Sequence, residues 1–141
     1  MKTQILALSC ALAALLLLSG CGSAEPAIWG TVNLDGKPVP EGDIRFVPLE
    51  GSRGADAGAV IRDGKYKVVA KELATGKYRV SIRGYRPSGI VEPDPLGGEP
   101  LKGTQQFVPK EYQGETSVLV KELTPSVRRL DFDLVTSEVG T

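Results

Sequence analysis

The sequence predicts an all-β fold, a small antiparallel β-sandwich of about seven strands preceded by a signal-peptide helix. Three observations predict it. From Ile28 onward, apolar and polar residues alternate at period two, the spacing of a strand with one buried face. Gly (17) and Pro (10) are dense for 141 residues, and turn signals recur about every 8–12 residues. No stretch of the same region repeats its apolar residues at helical spacing.

The leader comes first. Met1 to Gln4 carries one positive charge, Lys2, and Ile5 to Leu18 is an apolar run of 14 residues. That run has the length of a signal-peptide core and is short for a bilayer-spanning helix. Leu18-Ser19-Gly20-Cys21 closes it and looks like a bacterial lipobox. Small Ser19 and Gly20 let a signal peptidase reach the backbone, and the Cys21 sulfur is the side-chain nucleophile there that can carry a diacylglycerol. Residues 1–20 are then a cleaved signal peptide, and residues 21–27 are the lipidated cysteine and a flexible tether. An uncleaved anchor or a buried helix is the plainer alternative, and charge, length and lipobox together favour cleavage. Two or more acyl chains hold a protein stably on a membrane where one does not. Gly22 is not the Asp that typically retains such proteins in the inner membrane, which favours the outer membrane or cell surface within the cell envelope.

The domain is expected over residues 28–135. Ile28 to Leu34 alternates, with Ile28, Val32 and Leu34 on one face, and Asp35-Gly36 is a turn signal. Pro38 and Pro40 interrupt regular pairing before Asp43 to Val47, where Ile44 and Phe46 share a face. Ala59 to Arg62 and Lys65 to Val69 flank Asp63-Gly64, a two-residue loop of the kind that adopts a type I′ turn. Its register places Arg62 opposite Lys65, Ile61 opposite Tyr66 and Ala59 opposite Val68. Lys77 to Gly84 turns Tyr78, Val80 and Ile82 inward and Arg79, Ser81 and Arg83 outward. Residues 85–106 carry Pro87, Pro93, Pro95 and Pro100 and read as a long irregular loop. Thr116 to Lys121 and Arg128 to Val135 are the last strands, and residues 136–141 are a frayed tail.

With those elements placed, a family resemblance emerges. Gly30-Thr31-Val32, Leu34-Asp35-Gly36-Lys37-Pro38-Val39-Pro40 and Ile44-Arg45-Phe46-Val47-Pro48 resemble the opening of carboxypeptidase regulatory-like, transthyretin-like domains. Gly64-Lys65-Tyr66 and Gly76-Lys77-Tyr78-Arg79-Val80 resemble later strand starts of that group. Val108-Pro109-Lys110-Glu111-Tyr112 and Leu130-Asp131-Phe132-Asp133-Leu134 resemble the closing segments of bacterial lipoproteins that carry the domain. The resemblance covers about Ile28 to Leu134 and implies a prealbumin-like sandwich acting as a non-catalytic accessory module. One transthyretin-like branch hydrolyses a purine-breakdown product with histidines and a C-terminal Tyr-Arg-Gly-Ser. This chain has no His and ends Ser-Glu-Val-Gly-Thr, so that branch is excluded.

Composition excludes more. Lys plus Arg and Asp plus Glu are 17 each, and losing Lys2 with the leader leaves 16 against 17. A near-neutral domain lacks the basic excess of a nucleic-acid binder. Without His, no Ser–His–Asp or Cys–His arrangement exists. Cys10 lies in the leader and Cys21 is acylated, so no thiol remains for zinc or copper, and no cofactor is expected. Calcium would need clustered oxygens, and Glu92, Asp94 and Glu99, or Asp56 and Asp63, read better as solvated loop carboxylates. Asp131 and Asp133 share a strand face and could serve a carboxylate-dependent hydrolase, the least favoured function.

Four residues are candidates for ligand or partner contact. The outward row Arg79 and Arg83, with Arg86 just beyond, could meet an acidic glycan or a protein; pairing with Asp131 and Asp133 is the simpler expectation. Trp29 could stack on a sugar, though packing under the 85–106 loop is preferred. The expected function is thus an exported, lipid-anchored, non-enzymatic interaction module, with the membrane and an envelope protein or glycan as partners. The alternative is a glycan- or peptide-binding lipoprotein using the 85–106 loop and the adjoining Arg face.

Overall fold

The computed structural model describes residues 26–69, 71 and 73–137. Leu18, Ser19, Gly20 and Cys21, the whole leader, and residues 138–141 lie outside the described residues.

The described chain is all-β. Its strands are β1 (Ala27–Leu34), β2 (Lys37–Pro38), β3 (Glu41–Pro48), β4 (Ala57–Arg62), β5 (Lys65–Val69), β6 (Gly76–Glu92), β7 (Leu101–Gln106), β8 (Val120–Leu123) and β9 (Phe132–Leu134). Two single 3₁₀ turns, η1 (Lys110–Tyr112) and η2 (Gly114–Thr116), precede β8. The strands form one curled sheet in the order β2-β1-β5-β4-β3-β6-β7, with β8 on β6 and β9 on β1. Every pairing between these strands is antiparallel except that of β1 with β9, which is parallel.

The period-two pattern sets which side chains go inside. Ile28, Val32, Ile44, Phe46, Tyr66, Val68, Tyr78, Val80 and Ile82 are all buried, as their alternation predicts, while Lys65 and Lys67 are exposed. With Ile61, Leu123, Phe132 and Leu134 they form a single apolar cluster. Phe46 on β3 meets Tyr66 on β5, and Tyr66 meets Phe132 on β9, at ring-centroid distances of 6.2 Å in both pairs. Burial raises the Tyr66 hydroxyl's pKa, with the Asp131 carboxylate adding to it. The phenol therefore stays a donor, and it donates to the Leu130 carbonyl at 2.8 Å.

The Asp63-Gly64 turn has φ of 49° and 72°, the left-handed pair of a type I′ turn. Arg62 lies opposite Lys65 as predicted, but the expected pairs Ile61–Tyr66 and Ala59–Val68 do not form. Instead β4 pairs with β3 from Phe46–Ala57 to Glu41–Arg62, and β5 pairs with β1 from Ala27–Val69 to Thr31–Lys65. A tight turn dictates only the first pair. Beyond it, each strand follows the neighbour that buries more of its apolar face, so the hairpin splays and the sheet curls.

Three further expectations are corrected. Residues 85–106 are not an irregular loop: β6 runs on to Glu92 and pairs with β7, leaving only 93–100 outside the strands. The prolines that hid this arm sit where pairing tolerates them. Pro87 is on a two-stranded ribbon next to a register shift, and Gly89 (φ 76°) supplies the irregular backbone there. Asp94 closes the tip by accepting from the Leu96 and Gly98 amides at 2.9 and 3.1 Å. The strand expected at 116–121 starts at Val120 instead, because Gly114–Thr116 coils and the Ser117 hydroxyl donates to the Val80 carbonyl. The strand expected at 128–135 is confined to Phe132–Leu134, with one isolated parallel bridge, Trp29 to Arg129, before it.

The tail also differs from expectation at its start. Asp35, in the β1–β2 turn, accepts from the Thr136 amide at 2.8 Å and the Thr136 hydroxyl at 2.6 Å. Those bonds, the side-chain one foremost, lower the Asp35 pKa below 3.8. A depressed folded pKa contributes stability that is present above the unfolded value and lost as pH falls through the folded one. The Thr136 amide resonance is therefore expected to titrate with a midpoint below 3.8. A midpoint at or above that value would show that the carboxylate does not hold the tail.

Strand direction gives the sheet two distinct ends. Ala27 pairs with Val69, and Gly76 pairs with Leu123 near that same end, where Ile28, Leu73 and Leu123 gather. At the other end Glu41 pairs with both Arg62 and Tyr85. The β6–β7 arm projects from that far end and exposes Ile90, Val91, Leu96 and Leu101, with Leu96 at 94%.

Candidate functional site

Strand alternation that turns Ile44 and Phe46 inward turns Asp43, Arg45 and Val47 outward. The same holds on β6 for Arg79, Ser81 and Arg83. Register sets these two rows side by side: Asp43 opposite Arg83, Arg45 opposite Ser81, Val47 opposite Arg79. A charged face of this kind is ordinarily solvated. Here it is partly roofed by the segment after β7, and Ser81 is buried.

The roof is held by hydrogen bonds. The Gly114 amide donates to the Ser81 hydroxyl at 2.7 Å, and the Val80 amide donates to the Leu119 carbonyl at 2.8 Å. The Gln113 and Gln106 side-chain amides both donate to the Val108 carbonyl, at 2.7 and 2.9 Å. Tyr112 is buried, and its hydroxyl donates to the Val135 carbonyl at 3.0 Å. Between roof and strands lies an open cleft of about 570 Å³. Lys110, Gln113, Glu115 and Thr116 line it from the roof side.

The charges on the strand side are mostly matched. Arg45 makes a bidentate pair with Asp56, Nε to Oδ1 at 2.8 Å and Nη2 to Oδ2 at 2.6 Å. Arg83 reaches Asp43 Oδ1 at 3.0 Å from both Nε and Nη2, and the Tyr85 hydroxyl donates to Asp43 Oδ2 at 3.2 Å. The side-chain hydrogen bond to its carboxylate is the main cause raising each arginine's pKa. Burial raises that of Tyr85, and the Asp43 charge adds to it. Both ion pairs are largely exposed and contribute little to stability.

Arg79 is different. Its Nε is buried and has no hydrogen-bond partner among the described residues. Neither Arg79 nor Lys110 forms a side-chain ion pair among the described residues. The Ser81 oxygen accepts from the Gly114 amide. The arrangement can hold an anion.

The sequence-derived candidates separate into three places. Arg79 and Arg83 line the cleft. Arg86 does not belong to their row: alternation puts it on the opposite face of β6, with its guanidinium 5.4 Å from the centre of the Phe107 ring. Trp29 is 46% exposed on β1 and packs against Arg129, 5.1 Å from its ring centre, instead of under residues 85–106.

The expected partners of the Arg row, Asp131 and Asp133, are elsewhere too. Asp131 accepts from the Thr31 amide (2.8 Å), the Thr31 hydroxyl (3.0 Å) and Arg129 (2.8 Å), and these bonds, the amide first, lower its pKa. Asp133 accepts from Asn33 at 2.8 Å. Both carboxylates tie the β9 segment to β1. No group of three or more His, Cys, Asp or Glu suited to a metal occurs among the described residues.

Sequence reasoning missed Asp43 and Arg45 and the whole roof, and it weighed Asp56 only as a calcium ligand, where the structure pairs it with Arg45. The first two carried a signal, since they alternate with Ile44 and Phe46. Nothing local in 110–116 points that segment toward β6.

No protein-family model matches the chain, and no curated protein matches it. A comparison with solved structures returns a 9R-lipoxygenase from Cyanothece PCC8801 at 10% identity and a TM-score of 0.35. The match covers 79% of this chain and 16% of the lipoxygenase, and it is too loose to carry an argument about fold or chemistry.

Proposed function

We propose that this chain is an exported, lipid-anchored, non-enzymatic interaction module of the cell envelope, built as a transthyretin-like β-sandwich. The lipobox Leu18-Ser19-Gly20-Cys21 at the end of the apolar run carries the anchoring and export. The tether supports it. Five residues, 22–26, separate Cys21 from β1. Fully extended they reach about 17 Å, so lipid on Cys21 keeps the Ala27 end of the sheet at the membrane surface. The β6–β7 arm then points away from the bilayer.

The sandwich takes β1, β5 and β9 as one layer and β3, β4, β6 and β8 as the other. Two features support it. The β4–β5 hairpin contributes the single pair Arg62–Lys65 between the layers, and one apolar cluster draws on both. The resemblance to carboxypeptidase regulatory-like domains supports the same reading, with Asp35-Gly36 and Gly64 at turns and Gly76 opening a strand.

Cys21→Ser is expected to abolish incorporation of labelled fatty acid and leave a larger, unprocessed precursor. Normal maturation of that variant would remove the lipobox from consideration. Membrane fractionation with protease accessibility assigns the leaflet, and Gly22 favours the outer membrane or cell surface. A second reading, ligand binding, is favoured by one observation: Arg79, in the cleft, makes no ion pair among the described residues.

A further inference from the structure

The cleft holds positive charge that its own carboxylates do not balance. Arg83 with Asp43 and Arg45 with Asp56 cancel pairwise. Arg79 and Lys110 remain against Glu115, one net positive charge. A guanidinium presents its N–H groups as a planar fork that fits a carboxylate through two parallel N–H groups, and in Arg79 these are the two terminal Nη groups, because its Nε is buried. The Arg79 side chain makes no ion pair and its Nε has no acceptor among the described residues, and charged donors this enclosed in folded proteins are nearly always paired.

We propose that the cleft over β3 and β6 binds a peptide carboxylate, with Arg79 as its forked partner and Lys110 as the second cation. Size fits, since about 570 Å³ lies in the usual range for small-ligand clefts. Charge fits, since one net positive charge matches a monoanionic carboxylate better than a phosphate dianion. The lining disfavours a sugar acid. It contains no aromatic ring on which a pyranose could stack, its one large apolar residue is Val47, and Trp29 lies on β1 in another part of the sheet. Neutral peptide atoms find the Thr116 hydroxyl and the Gln113 side-chain amide along the walls.

The carboxylate can come from an Asp or Glu side chain or from a free C-terminus, and the test separates them. Full-length protein in detergent micelles is titrated with acetyl-Ala-Glu-Ala-amide, acetyl-Ala-Ala-Ala with a free carboxylate, acetyl-Ala-Ala-Ala-amide and glucuronate. Binding is read by calorimetry and by the Arg79 Nε–Hε resonance in ¹⁵N spectra. At least one of the two carboxylate peptides is expected to bind and shift that resonance, while the neutral amide does neither. Arg79→Met is expected to weaken binding at least tenfold, Arg79→Lys to recover part of it, and Lys110→Ala to weaken it about threefold, with added salt acting in the same direction. Arg86→Met, on the opposite face of β6, is expected to leave binding unchanged.

If neither carboxylate peptide binds better than the neutral one, or if the Arg79 resonance is unmoved at saturation, the proposal fails. Glucuronate binding with both peptides silent would overturn it in favour of a sugar acid. The wild-type resonance carries the test even if Arg79→Met does not fold. Fatty-acid labelling reads the anchor separately, so loss of binding is not confused with loss of membrane attachment.

Discussion

Gly30→Ala is expected to lower stability by about 3 kcal/mol or more, enough to bring a domain of ordinary stability close to unfolding. Gly30 lies in the middle of β1, where the β9 segment approaches along its backbone. A Cβ there would sit 1.7 Å from the Leu130 carbonyl oxygen and 2.6 Å from its carbon. The carbonyl cannot swing away freely. The Leu130 amide donates to the Trp29 carbonyl at 3.0 Å and the Trp29 amide donates to the Arg128 carbonyl at 2.9 Å just before the clash, and the Thr31 amide donates to Asp131 Oδ1 at 2.8 Å just after it. The same carbonyl also accepts the Tyr66 hydroxyl.

Relief requires the β9 segment to move off β1. That exposes Phe132 and Leu134 and strips Asp131 of its Thr31 partners. With a urea slope of about 1–3 kcal/mol per molar, the unfolding midpoint is expected to fall by about 1–3 M. Gly36→Ala is the contrast. Nothing lies within 4 Å of a Cβ there, and only its φ of 75° is unfavourable, so it is expected to cost about 1–2 kcal/mol. A cost at Gly30 no larger than that at Gly36 would show that the Leu130 carbonyl moves aside freely and that close approach does not require glycine in β1.

Which parts of this fold were legible in the sequence follows from how local their causes are. β1, β3, β5 and the first half of β6 declare themselves because one face is buried and the other is not, which alternation records residue by residue. The Asp63-Gly64 turn was legible for the same reason: left-handed φ at two successive residues selects those residue types. The splay just beyond it was not, because it depends on what β3 and β1 offer to Ile61, Tyr66 and Val68. The β6–β7 arm was missed because a two-stranded ribbon outside the core has no buried face to mark by alternation. Its prolines and glycines then resemble loop. The parallel pairing of β9 with β1 joins residues a hundred apart, as in Thr31 with Asp131, and leaves no local trace.

The cleft divides along the same line. Arg79 and Arg83 were found because they face away from Tyr78, Val80 and Ile82, and applying the same logic to β3 locates Asp43 and Arg45. Their partnership is set by strand register, which places Arg83 across from Asp43 and far along the sheet from Asp131. The roof has two 3₁₀ turns and one buried tyrosine. It is placed by hydrogen bonds to Ser81 and Val80, which composition cannot reveal.

Phe46→Ala is expected to cost about 3–5 kcal/mol, because Phe46 links the two layers of the proposed sandwich. Its side chain is fully buried, at 0% exposure. On β3 it is opposite Ala57 on one side and Val80 on the other, and its ring faces Tyr66 of β5 at 6.2 Å and a 39° tilt. Those neighbours sit in paired strands and cannot close over the gap, so the cavity term adds to the lost transfer energy. Phe46→Leu keeps most of the volume and is expected to cost roughly half as much, which leaves a folded variant for measurement. Combining each substitution with Tyr66→Ala in a double-mutant cycle isolates the ring contact, expected at about 0.5–1.5 kcal/mol of coupling. A cost below about 1 kcal/mol for Phe46→Ala would mean that the site is wet or loosely packed. Coupling near zero would mean that β3 and β5 do not press their faces together. The sheet would then be curled without being closed into a sandwich, and Tyr66 would owe its burial to β9 alone.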